Sequence, residues 1–228
     1  MYLFLDTSTP LTTIALGHSG RFVAGYQENA RSHGPMLLPA IEELLAQHQA
    51  PKTSLTFVGC GRGPGSFTGI RIGMATAKAM AWGLKIPLVS FTGFDVLYGQ
   101  ALALMGVDST RPVVTILDAR RDEVYGAVFR EGRQDGGPFL LLPEQLGSMI
   151  DAKENPLFIG SGVTTYGPAL LEHFAPGHLA THNELTPRGL FQAGVLTLSD
   201  ENFTSMDFIE PLYIRPSDAE KNRKKTLP

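Results

Sequence analysis

Gly61-Arg62-Gly63-Pro64-Gly65-Ser66-Phe67-Thr68-Gly69-Ile70-Arg71-Ile72-Gly73 places five glycines and a proline between an apolar strand and a long Ala/Met-rich helix. Glycine permits positive φ and close approach of another backbone, and a helix start offers unpaired N–H groups with a partial positive charge. The stretch fits neither common phosphate pattern. A P-loop ends in Gly-Lys-Ser/Thr, and the dinucleotide fingerprint needs a third glycine where Ser66 or Thr68 falls. Two readings stay open. One is a tight turn and helix cap, with Ser66 or Thr68 as the N-cap. The other is an anion site built from Arg62, Gly63, Gly65, Ser66, Thr68 and Arg71, in which two arginines flank the loop.

Working outward, Leu55–Cys60 reads as the strand before the loop, 70–84 as the helix after it, 86–91 as a further strand and Gly93–Met105 as a further helix. Upstream, 2–5, 12–16 and 22–26 read as a three-stranded meander, followed by a helix from Ser32 to about Gln49 with Pro39 in its early turns. The order βββαβαβα mixes antiparallel hairpins with parallel crossovers. The second half restarts with a strand over 113–118, a turn at Ala119-Arg120-Arg121-Asp122 and a strand over 123–129, an echo of the opening hairpin that suggests duplication. A polar loop is predicted over 130–138, a strand over 157–160, and helices over 163–174 and 187–198. The boundary falls near 106–112, giving lobes 1–106 and 107–228, the latter ending in a basic tail over 221–225.

Two lobes, each opening on a strand that ends in aspartate, predict an α/β protein of two-lobed actin-like ATPase, RNase H-like topology, each lobe a mixed sheet flanked by helices. In that architecture two strand turns clamp nucleotide phosphates and magnesium. Asp6-Thr7-Ser8-Thr9 keeps an acid and hydroxyls but lacks glycine, and Asp118-Ala119-Arg120-Arg121 sets two bulky arginines where bare backbone is needed. The cleft reads as a degenerate or absent ATPase site.

With 228 residues, 43% hydrophobic and 18% charged, the chain has material for a sizeable core. Its net charge of −3 argues against gripping nucleic acid alone over a broad basic face. The lone Cys60 excludes an internal disulfide and a cysteine zinc site. The opening Met1–Asp6 lacks the pattern of a secretory signal, and no apolar run has membrane-spanning length, so a cytoplasmic protein is expected.

Leu5-Asp6-Thr7-Ser8-Thr9, the 61–73 segment, Asp118-Ala119-Arg120-Arg121-Asp122-Glu123-Val124-Tyr125 and Tyr213-Ile214-Arg215-Pro216 together resemble the TsaB family of bacteria. The glycine segment is the most specific part of that resemblance. It implies a non-catalytic, actin-like-fold subunit of the machinery that makes threonylcarbamoyladenosine in tRNA, beside the anticodon. Implied partners are the catalytic paralogue TsaD as a heterodimer, the ATPase TsaE, and tRNA through the complex, with a homodimer open to the isolated chain. No cofactor is implied for the chain alone; ATP or ADP at the partner interface stays open. TsaD holds a metal through two histidines one helical turn apart. Here Phe91 and Asp95 occupy the nearest positions, so no metal site is expected.

The family's older label, glycoprotease or M22-type metallopeptidase, meets the same objection. His18, His33, His48, His173, His178 and His182 contain no HExxH, and His178 and His182 follow Pro176-Gly177 in a predicted loop. Peptidase activity is disfavoured, as is the rival reading of a kinase using Asp6 and Asp118 around magnesium. The helices over 36–49 and 70–84 carry more apolar residues than one face needs. Met36, Leu37, Ile41, Met74, Ala77, Lys78 and Ala81 are the expected partner patch, a surface the resemblance also implies.

Overall fold

Tyr2–Asp6 (β1), Leu11–His18 (β2) and Arg21–Asn29 (β3) form the expected meander, paired antiparallel from Phe4 opposite Ala15 to Ile14 opposite Tyr26. A computed structural model describes residues 1–29, 32–199 and 208–215. Helix α1 (His33–Gln47) leads to β4 (Phe57–Gly61), helix α2 (Phe67–Leu84) to β5 (Leu88–Phe91), and helix α3 (Gly93–Met105) out of the sheet. Both β4 and β5 run parallel to β1, giving the sheet order β3-β2-β1-β4-β5. This is the order that two crossovers added to a hairpin produce.

A second, four-stranded sheet follows in the order β8-β7-β6-β9, from β6 (Val113–Arg120), β7 (Glu123–Arg130), β8 (Arg133–Leu141) and β9 (Leu157–Ile159). Strand β8 corrects the polar loop predicted over 130–138. It is an edge strand with Arg133 to Pro138 exposed, held by its backbone ladder to β7 with Arg130 opposite Arg133, so apolar alternation is absent from its sequence. Helices α4 (Leu146–Met149) and α5 (Ser161–Leu171) pack on this sheet, and α6 (Pro187–Ser199) returns to the first one.

The result is five layers. α1 and α2 cover one face of the first sheet, burying Leu37, Ile41, Leu44, Met74 and Ala77 against Leu3, Leu5, Ile14 and Val58. α3 and α6 lie between the sheets, where Phe4, Phe91, Phe94, Leu97 and Phe191 join Phe129 and Ile159 in one cluster. α4 and α5 cover the outer face of the second sheet around Ile116, Phe158 and Phe174. The α3–α6 contact is close because Gly99 meets the backbone of Gly189 and Ala193, where a methyl group would not fit. The 106–112 boundary separates the two sheets, while α6 crosses back over it. The basic run over 221–225 lies outside the described residues.

Candidate functional site

The glycine segment leaves β4 and folds down onto the turn after β1. A Cβ at Gly61 would come within 3.0 Å of the Asp6 carboxylate, one at Gly65 within 3.0 Å of the Ser8 carbonyl, and one at Gly69 within 3.0 Å of the Thr7 carbonyl. These glycines are therefore required by the chain's own Asp6–Ser8 turn. The loop's polar groups are also used internally. Ser66 N–H donates to the Ser8 carbonyl at 2.7 Å, Thr7 Oγ1 to the Gly69 carbonyl at 2.7 Å, and Gly93 N–H to the Gly63 carbonyl at 2.9 Å. Ser66 is the N-cap of α2, its Oγ accepting from Gly69 N–H at 3.2 Å; Thr68 is exposed inside the first turn.

Asp6, Thr7 and Ser8 are 1%, 1% and 2% exposed, so the first of the two turns that would clamp phosphate lies beneath the glycine loop. Asp6 Oδ1 accepts from the Ser8 N–H and hydroxyl, each at 2.8 Å, while Oδ2 is buried without a hydrogen-bond partner. Burial holds the Asp6 carboxyl above its ordinary value, opposed by the two Ser8 hydrogen bonds and the charge of His33. The neighbouring Cys60 thiol is pushed up to about 12, by burial and then by the Asp6 charge, so it stays an inert thiol.

A raised carboxyl retains its proton in the folded state at pH values where the unfolded chain has lost it. Its contribution to folding stability is therefore full below the ordinary carboxylate range and declines as pH rises above it. Asp6→Asn removes that titration. Urea midpoints measured between about pH 4 and pH 7 are expected to fall less steeply with pH in the variant than in the parent chain.

The second turn is built differently. Arg120, Arg121 and Asp122 take left-handed φ of 59°, 58° and 59° in succession. Asp118 is committed to its surroundings: Oδ1 accepts from Arg120 N–H at 2.7 Å and Tyr166 hydroxyl at 3.1 Å, and the Asp118 N–H donates to Ser161 Oγ at 3.0 Å. The Tyr166 hydroxyl is in turn held above its usual pKa, by burial first and then by Asp118.

Residues 208–215 join the two lobes as a strap whose contacts no local periodicity predicts, although Tyr213 to Arg215 belong to the stretch that carries the family resemblance. Ile209 is buried beside α2 and its carbonyl accepts from Lys78 Nζ at 2.9 Å. Leu212 N–H donates to the Arg62 carbonyl at 2.7 Å. Tyr213 stacks on Phe67 with ring centroids 5.1 Å apart, and Arg71 lies over the same Phe67 ring at 3.7 Å. Arg215 then reaches the second lobe, donating to the Ala119 carbonyl at 3.1 Å and pairing with the Glu123 carboxylate. The strap contacts span 92 or more residues of chain, beyond the reach of any periodicity argument.

Of the anion-site residues, the structure thus gathers Arg62, Gly63, Gly65, Ser66, Thr68 and Arg71 at one loop but fills that loop with the chain itself. The residues of the expected partner patch differ in exposure. Leu37, Ile41, Met74, Ala77 and Ala81 are 0–5% exposed and packed in the first-sheet core, with Ile41 also lining the groove between the two helices. Lys78 is half-buried and tied to Ile209; Met36 is half-buried. The outward side of the same helix pair carries Leu38, 51% exposed, and Trp82, 77% exposed, and a groove of about 210 Å³ is lined by Leu38, Ile41, Ala79, Met80, Gly83 and Leu84 with the Glu42–Lys52 ion pair.

No three metal-ligating side chains converge among the described residues. Phe91 is buried, and Asp95 is the acid of a capping box, its carboxylate accepting from the Thr92 N–H and hydroxyl, each at 2.7 Å. His178 ends a short 3-10 turn over 176–178, and His182 lies in the loop that follows. No helix is long and apolar enough to cross a membrane among the described residues.

Three comparisons bear on this geometry. Residues 27–138 match the family model described as TsaD: tRNA N6-adenosine threonylcarbamoyltransferase. The tRNA threonylcarbamoyladenosine biosynthesis protein TsaB of Haemophilus influenzae is 31% identical over 224 residues, covering 93% of this chain and 92% of that protein. Among solved structures, YeaZ from Pseudomonas aeruginosa superposes with a TM-score of 0.79 at 27% identity, over 93% of this chain and 99% of its own. A putative N-acetylmannosamine kinase from Listeria monocytogenes shares the fold, at 11% identity and a TM-score of 0.52 over 88% of this chain and 99% of its own.

Proposed function

The chain belongs to the TsaB family of tRNA threonylcarbamoyladenosine biosynthesis proteins, and from that premise we propose that it is a non-catalytic scaffold subunit. It docks the transferase TsaD through the outer side of α1 and α2, fixes the orientation of TsaD's lobes, and provides the surface on which TsaE and tRNA assemble. The observation that carries this reading is the α1–α2 groove. The groove is lined by Leu38, Ile41, Ala79, Met80 and Leu84, and the same helix pair leaves the Trp82 indole 77% exposed; apolar surface of this kind is characteristic of an interface and costly to leave in water. A shared family model with TsaD supports pairing of like helices on like folds.

The interior of the cleft supports the absence of chemistry in this subunit. With Asp6 to Ser8 beneath the glycine loop and Asp118 committed to Tyr166 and Arg120, both phosphate turns are occupied by the chain's own groups. Any ATP or ADP in the assembly then sits at the partner interface. The test is to mix the purified chain with the TsaD of its own organism, follow complex formation by light scattering, and measure threonylcarbamoyladenosine by nucleoside mass spectrometry after adding TsaE, tRNA and substrates. A 1:1 complex and product that depends on this chain are expected. No complex, with TsaD activity unchanged, overturns the proposal.

A further inference from the structure

Phe67, Tyr213 and Arg71 form a cluster that neither core of the first lobe absorbs. Phe67 is 43% exposed and Tyr213 41%, with their rings stacked at 5.1 Å and 24°. Arg71 Cζ lies 3.7 Å from the Phe67 centroid while its Nε bonds the Tyr213 hydroxyl at 3.3 Å. Planes on opposite sides of a ring are about 7 Å apart, so that 3.3 Å contact puts the guanidinium and the phenol on one side of Phe67. The other side has no ring or cation against it among the described residues.

The cluster is held rigidly from both ends. Leu212 N–H is bonded to the Arg62 carbonyl just before Tyr213, and Arg215 is anchored on Ala119 and Glu123 just after it. Its setting is polar and cationic. Gly65, Ser66 and Thr68 are exposed beside Phe67, Arg62 comes from the same loop, and the first turn of α2 has no acidic residue. The apolar groove, by contrast, starts at Ala79, twelve positions along the helix and so about 18 Å away. A rigidly held, part-exposed aromatic ring among arginines suits a ligand that is both planar and anionic.

We infer that this cluster is a stacking site for an unpaired nucleotide, the base lying on the side of Phe67 away from Arg71 and Tyr213, with Arg71 and Arg62 supplying the cations for its phosphate. The inference deepens the tRNA-modification reading and rests on it for the source of the strand. Because the chain is acidic overall, the contact is a local one within a larger assembly rather than an independent grip.

The experiment titrates the chain at low salt with a fluorescent single-stranded oligoribonucleotide of mixed sequence, and in a second arm with AMP, to separate a strand from a free nucleotide. Phe67→Ala is expected to weaken binding about tenfold, Phe67→Leu equally, and Phe67→Trp to restore it to within about twofold. The leucine variant keeps apolar bulk but loses the π-face, so it separates stacking from packing; Phe67 is exposed, and unchanged thermal melts of all three variants confirm folding. Binding by Phe67→Leu equal to the parent, no binding by the parent in either arm, or a Phe67→Ala defect confined to capture of TsaD each overturns the inference. A parent chain that supports modification while Phe67→Ala leaves both titrations unmoved sinks this inference alone. A parent chain that forms no TsaD complex yet shows the Phe67-dependent titration sinks the scaffold reading alone.

Discussion

Gly69→Ala is expected to destabilise the chain by about 3 kcal/mol, lowering the thermal midpoint by roughly 10 °C, although the change is from glycine to the best helix former. Two effects compete. Alanine inside a helix gains about 1 kcal/mol over glycine. Against that, a Cβ at Gly69 would sit within 3.0 Å of the Thr7 carbonyl oxygen, and a backbone group cannot rotate away. Thr7 is further fixed by its own bond to the Gly69 carbonyl, so the whole β1 turn would have to shift. Gly83→Ala is the internal control. It lies in the same helix with nothing within 4 Å of its Cβ position, and is expected to stabilise by up to about 1 kcal/mol. Chemical denaturation of both variants decides the matter; two changes of the same sign would show that the loop does not press on the turn.

Ala79→Arg is expected to abolish docking of the catalytic partner, with an affinity loss of about a hundredfold or more, while leaving the isolated chain within about 0.5 kcal/mol of the parent. Ala79 is exposed and lines the groove between Leu38 and Met80, so the new side chain meets solvent in the free chain and an apolar surface in the complex. Trp82→Ala, which removes the most exposed large apolar side chain among the described residues, is expected to cost about 2 kcal/mol of binding, a thirtyfold loss. Light scattering and titration calorimetry with the partner measure both. A complex that survives Ala79→Arg would move the docking face elsewhere.

The two helices also show where sequence reading stops. Leu37 and Ile41, and Met74, Ala77 and Ala81, recur at three- and four-residue spacing, which is the signature of the stripe facing the chain's own sheet. Apolar residues of these helices that the structure leaves exposed off that stripe include Leu38 and Trp82, and the spacing rule could have found them. The strands of both hairpins, the helix over Gly93–Met105 and the aspartate turns were legible because they are local. Strand β8 was not, since an exposed edge is stabilised by main-chain pairing that leaves no mark on side-chain choice. The glycine loop was legible as a special backbone, but what it presses against lies 62 residues earlier for Thr7 and Gly69. The meeting of Arg215 with Glu123, and of Tyr213 with Phe67, depends on the completed tertiary fold.

The α3–α6 layer has a mechanical consequence. Two-lobed proteins that work by opening and closing need a thin seam that can part and re-form. Here the sheets are joined by a continuous apolar slab from Phe4 and Phe91 through Phe94, Leu97 and Phe191 to Phe129, with Tyr98 and Phe129 stacked at 4.4 Å and only 4° from parallel. Wedging it apart would expose several large side chains at about 1.5–3 kcal/mol each, comparable to the whole stability of a domain. The molecule is therefore a girder rather than a jaw: its angle is set at folding, and a partner docked on α1 and α2 as proposed would inherit that angle.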